Sequence, residues 1–496
     1  MRIDRLVWTA ALLFGVSMCS ACNNAKNTSA LASSDNGKIP VTTKSEEARK
    51  EFLLGRGLAE KLLAQDSLQH FDKAIALDPE FASAELARAN ASGVAKDFFD
   101  HQKKAVSLAD KVSEPERLLI LASEAAANGD VTKQKDYLDK LVAACPNDER
   151  AHLNLGNYYF GQQEYGPAIE HYRKATEIAP SYSPAYNILG YALRQQDNFS
   201  EAEQAFKKYI ELIPNDPNPY DSYAELLLKM GRFDDSLAQY HKALSIDSHF
   251  VPSHFGIAAD LMYLGKPAEA EAELNKMSQE ARNDGELRTA LFGLAVVASD
   301  TGKMEKAVQQ MEREYAVAEK KNDLASMAAD LQAKGNILLA AKKYDEAQKQ
   351  FDRSQQLIES SSLSQEIKDN ATLLHHFNLA AVAIEKRDLA AAQSHSSQFQ
   401  QGAEASKNPV QVKQAHELAG RLALSQKDHD KAIAELEQSN LQNPQNLYRL
   451  AECYQAKGDA AKAKEYVTKA ADFNSLPALP YAFVRTKAKQ WASKKA

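Results

Sequence analysis

The chain has 496 residues, 44% of them hydrophobic and 26% charged, and its 60 Lys and Arg against 67 Asp and Glu leave a net charge of −7. A mildly acidic balance without long basic runs argues against general nucleic-acid binding, which needs cations to neutralise phosphates. The apolar share excludes wholesale disorder and a polytopic membrane protein, and four cysteines cannot make a disulfide scaffold for this length.

Residues 1–21 read as an export signal. Arg2 and Arg5 form a short basic start, Leu6 to Val16 is apolar apart from Thr9, and Ser17 to Ala21 is mostly small. An apolar run this short is under-length for a membrane span and fits a signal core. Cys19-Ser20-Ala21-Cys22 then resembles a bacterial lipobox, although Cys19 stands where Leu is usual. The resemblance implies cleavage before Cys22, acylation of Cys22 and a membrane anchor. Ordinary cleavage after Ala21, giving a soluble periplasmic or secreted protein, is the rival reading. Asn23 after the cysteine fits the outer-membrane sorting pattern of enteric lipoproteins. Residues 22–47 would carry the lipid and a flexible linker, because the stretch is polar, rich in Ser, Thr, Asn and Lys, and lacks apolar periodicity.

From residue 48 onward, Gly and Pro fall on a 34-residue ruler. Pro146, Pro180 and Pro214 keep that spacing, as do Gly156 with Gly190 and Gly231 with Gly265. The clearest unit, Glu149 to Tyr182, carries Leu155, Gly156, Tyr159, Tyr165, Ala168, Tyr172, Ala175 and Pro180. The next has Leu189, Gly190, Phe199, Ala202, Phe206 and Pro214 in the same places. This pattern resembles the tetratricopeptide repeat (TPR) family. The resemblance implies an all-α fold, a right-handed α-solenoid of about twelve helix hairpins over 48–477, best formed at 115–250. A first unit near 48–81 carries Leu54 and Gly55. Fainter ones begin near 288, 328, 373, 413 and 444. Such units bury their apolar faces only by stacking on neighbours.

Local chemistry refines the picture. Gly129, Gly231, Gly265, Gly302 and Gly458 fall at the turn inside a hairpin, where a positive φ is free only for Gly. Ser113 with Glu116 and Ser200 with Glu203 read as capping boxes. Ser360-Ser361-Ser362 and Gln400 to Val412 read as longer loops between units. Residues 478–496, with five Lys or Arg and no acid, read as a basic C-terminal tail: a solvated cap, or a contact with an anionic surface, with Trp491 anchored on the last repeat.

Catalytic signatures are missing. No P-loop, zinc-protease helix, nucleophile elbow or dinucleotide fingerprint occurs, so neither an enzyme nor a cofactor is expected. His375, His376, His395, His416 and His429 cluster in the C-terminal third, but His376 and His416 fall where the repeat wants a bulky packing residue. Cys145 and Cys453 read as small buried hydrophobes rather than metal ligands or reactive thiols. The working surface implied by the family is the concave face lined by the first helix of each hairpin: Arg150, Leu153, Asn157 and Phe160, then Asn187, Tyr191 and Arg194, then Asp221 and Glu225. Asn and Arg there suit an extended peptide. Leu153 stands where a carboxylate clamp wants Lys, and Asp221 would repel a C-terminal carboxylate. These features imply a non-enzymatic protein- or peptide-binding scaffold in the cell envelope. The alternative is a nutrient-uptake accessory, which the scarcity of Trp disfavours for glycans.

Overall fold

The computed structural model describes residues 37–61 and 63–493; the signal segment, Cys22 and most of the tether lie outside them. The chain forms two compact units, one ending at Leu226 and one running Leu227–Ala496.

All regular elements among the described residues are helices: twelve successive pairs, a 3-10 turn at Ala109–Lys111, and two short C-terminal helices, Leu479–Ala482 and Arg485–Ala492. The first six pairs are Glu46–Glu60 with Ala64–Leu77, Ala82–Ala91 with Ala95–Ser107, Glu114–Asn128 with Val131–Ala144, Glu149–Gly161 with Tyr165–Ile178, Ser183–Gln195 with Phe199–Leu212, and Asn218–Lys229 with Phe233–Ile246. The last six are Val251–Tyr263 with Pro267–Gln279, Asp284–Asp300 with Met304–Lys320, Leu324–Ala340 with Tyr344–Glu359, Gln365–Lys386 with Leu389–Ser406, Pro409–Ser425 with His429–Leu436, and Pro444–Ala456 with Ala460–Ala471. The fold is the expected α-solenoid of TPR-type hairpins. None of these helices is long and apolar enough to cross a membrane.

Two devices repeat. Within a hairpin, a small residue on the first helix admits an aromatic ring from the second, sixteen positions on: a Cβ on Gly156 would lie 2.5 Å from the Tyr172 ring, and one on Gly190 2.7 Å from that of Phe206. Between the helices, the turn residue has a left-handed φ. Gly129, Gln163, Asp197, Gly231 and Gly265 take φ of 63°, 61°, 56°, 75° and 76°, each 34 residues after the last. The turns expected at Gly302 and Gly458 are left-handed as well. Gln163 and Asp197 keep the geometry without Gly and so escape a search for glycines.

The beat fades after residue 284 because the helices lengthen, to 17 residues in Asp284–Asp300 and 22 in Gln365–Lys386. Several sequence expectations change accordingly. Gln400 to Val412 is not a loop: helix Leu389–Ser406 runs through Gly402, which lies where Leu373 packs closely, and only Lys407 and Asn408 intervene before Pro409. Ser360–Ser364 does form a short connection. The Ser113–Glu116 capping box is present, whereas Asn198, not Ser200, precedes helix Phe199–Leu212 and makes no side-chain cap. Leu54 is exposed rather than packed beside Gly55.

The C-terminal tail is also more than a solvated cap. Trp491 packs edge-on against Tyr448 of the last hairpin, at 5.5 Å, as expected. Ahead of it, Leu479, Tyr481 and Ala482 are buried against the seventh to ninth hairpins. Tyr263 Oη donates to the Ser475 carbonyl at 2.8 Å, and Arg485 forms a two-pronged ion pair with buried Asp300. The most N-terminal cation of this basic tail is spent inside its own unit.

Candidate functional site

Within each unit neighbouring first helices touch one another, as Glu149–Gly161 does Ser183–Gln195 in the first, where they form an inner row beside the groove described below. All seven residues expected to bind a partner stand on this row, but they do not form one line of free polar hooks.

Arg150 is engaged internally. Its Nε meets Glu60 Oε1 at 2.9 Å, its Nη1 meets Glu149 Oε1 at 2.5 Å, and its guanidinium lies 5.0 Å over the Tyr182 ring. Burial would lower its pKa, but Tyr182, Glu60 and Glu149 outweigh that and raise it. Asn157 accepts from the Tyr172 hydroxyl at 2.9 Å and so helps to close its own hairpin.

Tyr191, Arg194, Asp221 and Glu225 come together across the fifth and sixth hairpins. Glu225, 3% exposed, accepts from Tyr191 Oη at 3.0 Å and from Arg194 Nη1 at 3.2 Å, while the guanidinium sits 4.7 Å over the Tyr191 ring. Burial, then the charges of Glu225 and Asp221, push the Tyr191 phenol well up, so it serves as a hydrogen-bond donor. Asn187 is buried, and its Oδ1 has no hydrogen-bond partner among the described residues.

The inner face of the first four hairpins carries a feature that the sequence reading assigns to the linker. Residues 38–44 are not a free tether; they lie along the first four hairpins and form part of the lining of an open groove of about 1830 Å³. Ile39 N donates to Asp148 Oδ2 at 2.9 Å, Thr42 N to Glu116 Oε1 at 2.8 Å, and Lys44 N to Asp78 Oδ2 at 3.0 Å. The Thr43 hydroxyl adds a bond to Asp78 at 2.6 Å, and the Lys38 and Lys44 ammonium groups pair with Glu149 and Glu80. Ile39 packs on the Leu118–Leu155 cluster and Val41 on the Phe52–Phe81 cluster. Ile39-Pro40-Val41 is an apolar triplet inside a polar stretch, but nothing in its spacing points to the helices it meets.

Of the clustered histidines, His376, His395 and His416 pair inside a hairpin and His375 Nε2 meets Asp352 at 3.3 Å, while His429 Nδ1 has no hydrogen-bond partner among the described residues. Five couples join a first helix to the second helix nineteen positions on. His152 Nδ1 meets His171 Nδ1, and His376 Nδ1 meets His395 Nδ1, both at 3.1 Å; Glu51 pairs with His70, His254 with Glu273, and His416 with Glu435. Among the described residues no three His, Cys, Asp or Glu converge as metal ligands. Cys145 and Cys453 are free and buried, and burial pushes the Cys453 thiol up to about 11.

Comparison with known proteins bears on the repeats. Models of the tetratricopeptide repeat match residues 149–182, 183–216 and 444–475. The human protein O-mannosyl-transferase TMTC3 is 28% identical over 174 residues, covering 32% of this chain and 19% of that protein. The mitochondrial import receptor subunit TOM70 of Saccharomyces cerevisiae is 25% identical over 216 residues, covering 42% of this chain and 34% of the receptor. The peroxisomal targeting signal receptor of Kluyveromyces lactis is 27% identical over 110 residues, 22% of this chain and 19% of that receptor. This chain thus spans about a third or less of the length of these relatives. Among solved structures, yeast Tom70 aligns with 77% of this chain and 90% of its own at 15% identity and a TM-score of 0.46. A tetratricopeptide repeat protein from Parabacteroides merdae covers 53% of this chain and 98% of its own at 17% identity and a TM-score of 0.36.

Proposed function

The chain carries tetratricopeptide repeats, and from that premise we propose that it is a non-enzymatic scaffold binding an extended protein segment along the inner row of first helices, held in a bacterial cell envelope through an acylated Cys22. The observation that carries this reading is the inner row itself. Buried polar groups lock its helices to one another, as in Tyr191–Glu225–Arg194 with Glu225 only 3% exposed, so the row is pre-organised. Pre-organisation lowers the ordering cost of binding an extended chain. The repeat-bearing relatives include an import receptor and a targeting-signal receptor, which supports a protein partner. The apolar run Leu6 to Val16 and the Ser20-Ala21-Cys22 junction support the anchor.

Two measurements test the proposal. Intact mass of the mature N-terminus should show acyl groups on Cys22, lost in Cys22→Ala; a free Cys22 thiol would refute the anchor. Affinity capture from detergent-solubilised envelopes should return the same protein repeatedly, and capture of nothing would count against the scaffold.

A further inference from the structure

We propose that the inner face of the first four hairpins is a peptide-binding face whose carboxylates are occupied by the chain's own residues 38–44, and that this strap is displaced by a partner segment of the same chemistry: extended, with two apolar residues two positions apart, hydroxyl side chains following, and lysines at either end. The inference rests on the scaffold reading above and names what the groove accepts.

The strap is seated like a ligand. It runs from the fourth hairpin back to the first, against the order of the repeats, and meets the groove through both backbone and side chains. Three backbone N–H groups reach three carboxylates, at Asp148, Glu116 and Asp78. Pro40 holds the chain extended, so Ile39 and Val41, two residues apart, both reach apolar clusters. The end charges match as well, Lys38 against Glu149 and Lys44 against Glu80. Thus the contacts specify a pattern, Lys-apolar-Pro-apolar-Thr-Thr-Lys, in place of mere stickiness.

Burial is unequal on the two sides. None of residues 38–44 is buried, whereas Asp148, Glu116 and Asp78 are 1%, 2% and 7% exposed. A shallow occupant over deep acceptors can leave without opening the core. Each carboxylate also keeps donors when the strap departs. Glu116 retains Ser113 Oγ at 2.7 Å and Ser83 Oγ at 2.8 Å; Asp148 retains the backbone N–H groups of Arg150 and Ala151; Asp78 retains that of Glu80. No carboxylate would therefore lose every donor, and a new strand would find Asp148 Oδ2 and Asp78 Oδ2 freed for N–H, hydroxyl or ammonium donors. Because the strap is covalently attached just before the first helix, its effective concentration is on the order of millimolar, and only a partner that exceeds this threshold takes its place.

The test uses the full-length chain and a fluorescent peptide with the sequence of residues 37–45. In the double variant Thr42→Glu, Thr43→Glu, new carboxylates face Glu116 and Asp78 and should eject the strap. Fluorescence anisotropy should then show the peptide binding the variant about tenfold or more tightly than the wild type, with binding lost when Asp replaces the peptide's Ile and Val. Equal affinity for both proteins, or no binding to a variant whose circular dichroism and unfolding match wild type, would overturn the proposal. Should the variant misfold, amide exchange in the wild type still decides: Ile39, Thr42 and Lys44 must exchange more slowly than in the free peptide, and free-peptide rates overturn it. An envelope partner captured equally by wild type and variant would remove the competition while leaving the scaffold reading intact. Capture by neither, with the peptide bound as expected, would count against the scaffold reading alone.

Discussion

At the scale of single residues, two groups show how the fold tolerates local cost. Asp260 is fully buried in helix Val251–Tyr263, and neither carboxyl oxygen has a well-formed hydrogen bond among the described residues. Burial raises its pKa to about 8, with the nearby Ser236 hydroxyl offsetting a small part. A carboxyl with a raised folded pKa favours folding only while protonated, so stability should fall as pH rises from about 4 toward 8. Asp260→Asn should remove that dependence and stabilise the protein at pH 8 more than at pH 5. Urea unfolding at the two pH values checks this, and an equal effect at both would show that Asp260 is not the titrating group. The second case is Gly231, whose φ of 75° is free for Gly but costs an alanine about 1 kcal/mol. Gly231→Ala should lose that much by urea midpoint, and Gln163→Gly, at the equivalent turn, should gain a similar amount.

At the scale of elements, the strap and the hairpins respond differently to acid. Glu80 is held at about 2 by Lys111 and Lys44, and Thr43 and the Lys44 and Glu80 amides hold Asp78 below its ordinary value although burial opposes them. Depressed folded pKa values give stability that is present above the unfolded values near 4 and is lost as pH falls through the folded ones. Protection of the Ile39, Thr42 and Lys44 amides, taken relative to their intrinsic exchange rates, should therefore fall between about pH 4 and pH 2 before the hairpins unfold; simultaneous loss would show that the strap is part of the core. The hairpins should weaken higher up, where His pairs sit: burial and then the His152 imidazole lower the pKa of His171, and burial and then His395 lower that of His376. Protonation below about pH 6 then opposes folding in the fourth and tenth hairpins.

At the scale of the whole chain, each unit has a terminal stretch laid against its own hairpins, residues 38–44 in one and 473–492 in the other. The second is anchored by Tyr481 and by Arg485 on Asp300, which is 7% exposed. Arg485→Ala strands a buried carboxylate and should cost about 3–5 kcal/mol, read as a lower urea midpoint. The hairpins were legible because each depends on local spacing: Gly156 must face Tyr172, and the turn must recur 34 residues later. The strap and the tail were not, because their contacts join residues such as Ile39 and Asp148 or Tyr263 and Ser475, which share no periodicity. The site was legible only as positions: the inner row follows from repeat register, but the pairing of Arg150 with Glu60, 90 residues away, does not. That pairing also redirects the choice of probe, since reversing Arg150 or Arg194 would break internal ion pairs as well as any external one. Asn154, partly exposed in the groove, and Lys174, exposed on a second helix, avoid the difficulty. A photo-crosslinking residue placed at each, in full-length protein within native envelopes, compares the inner row with the outer. The account predicts a discrete crosslinked partner from position 154 and none from 174; equal products from both, or product from 174 alone, would contradict it.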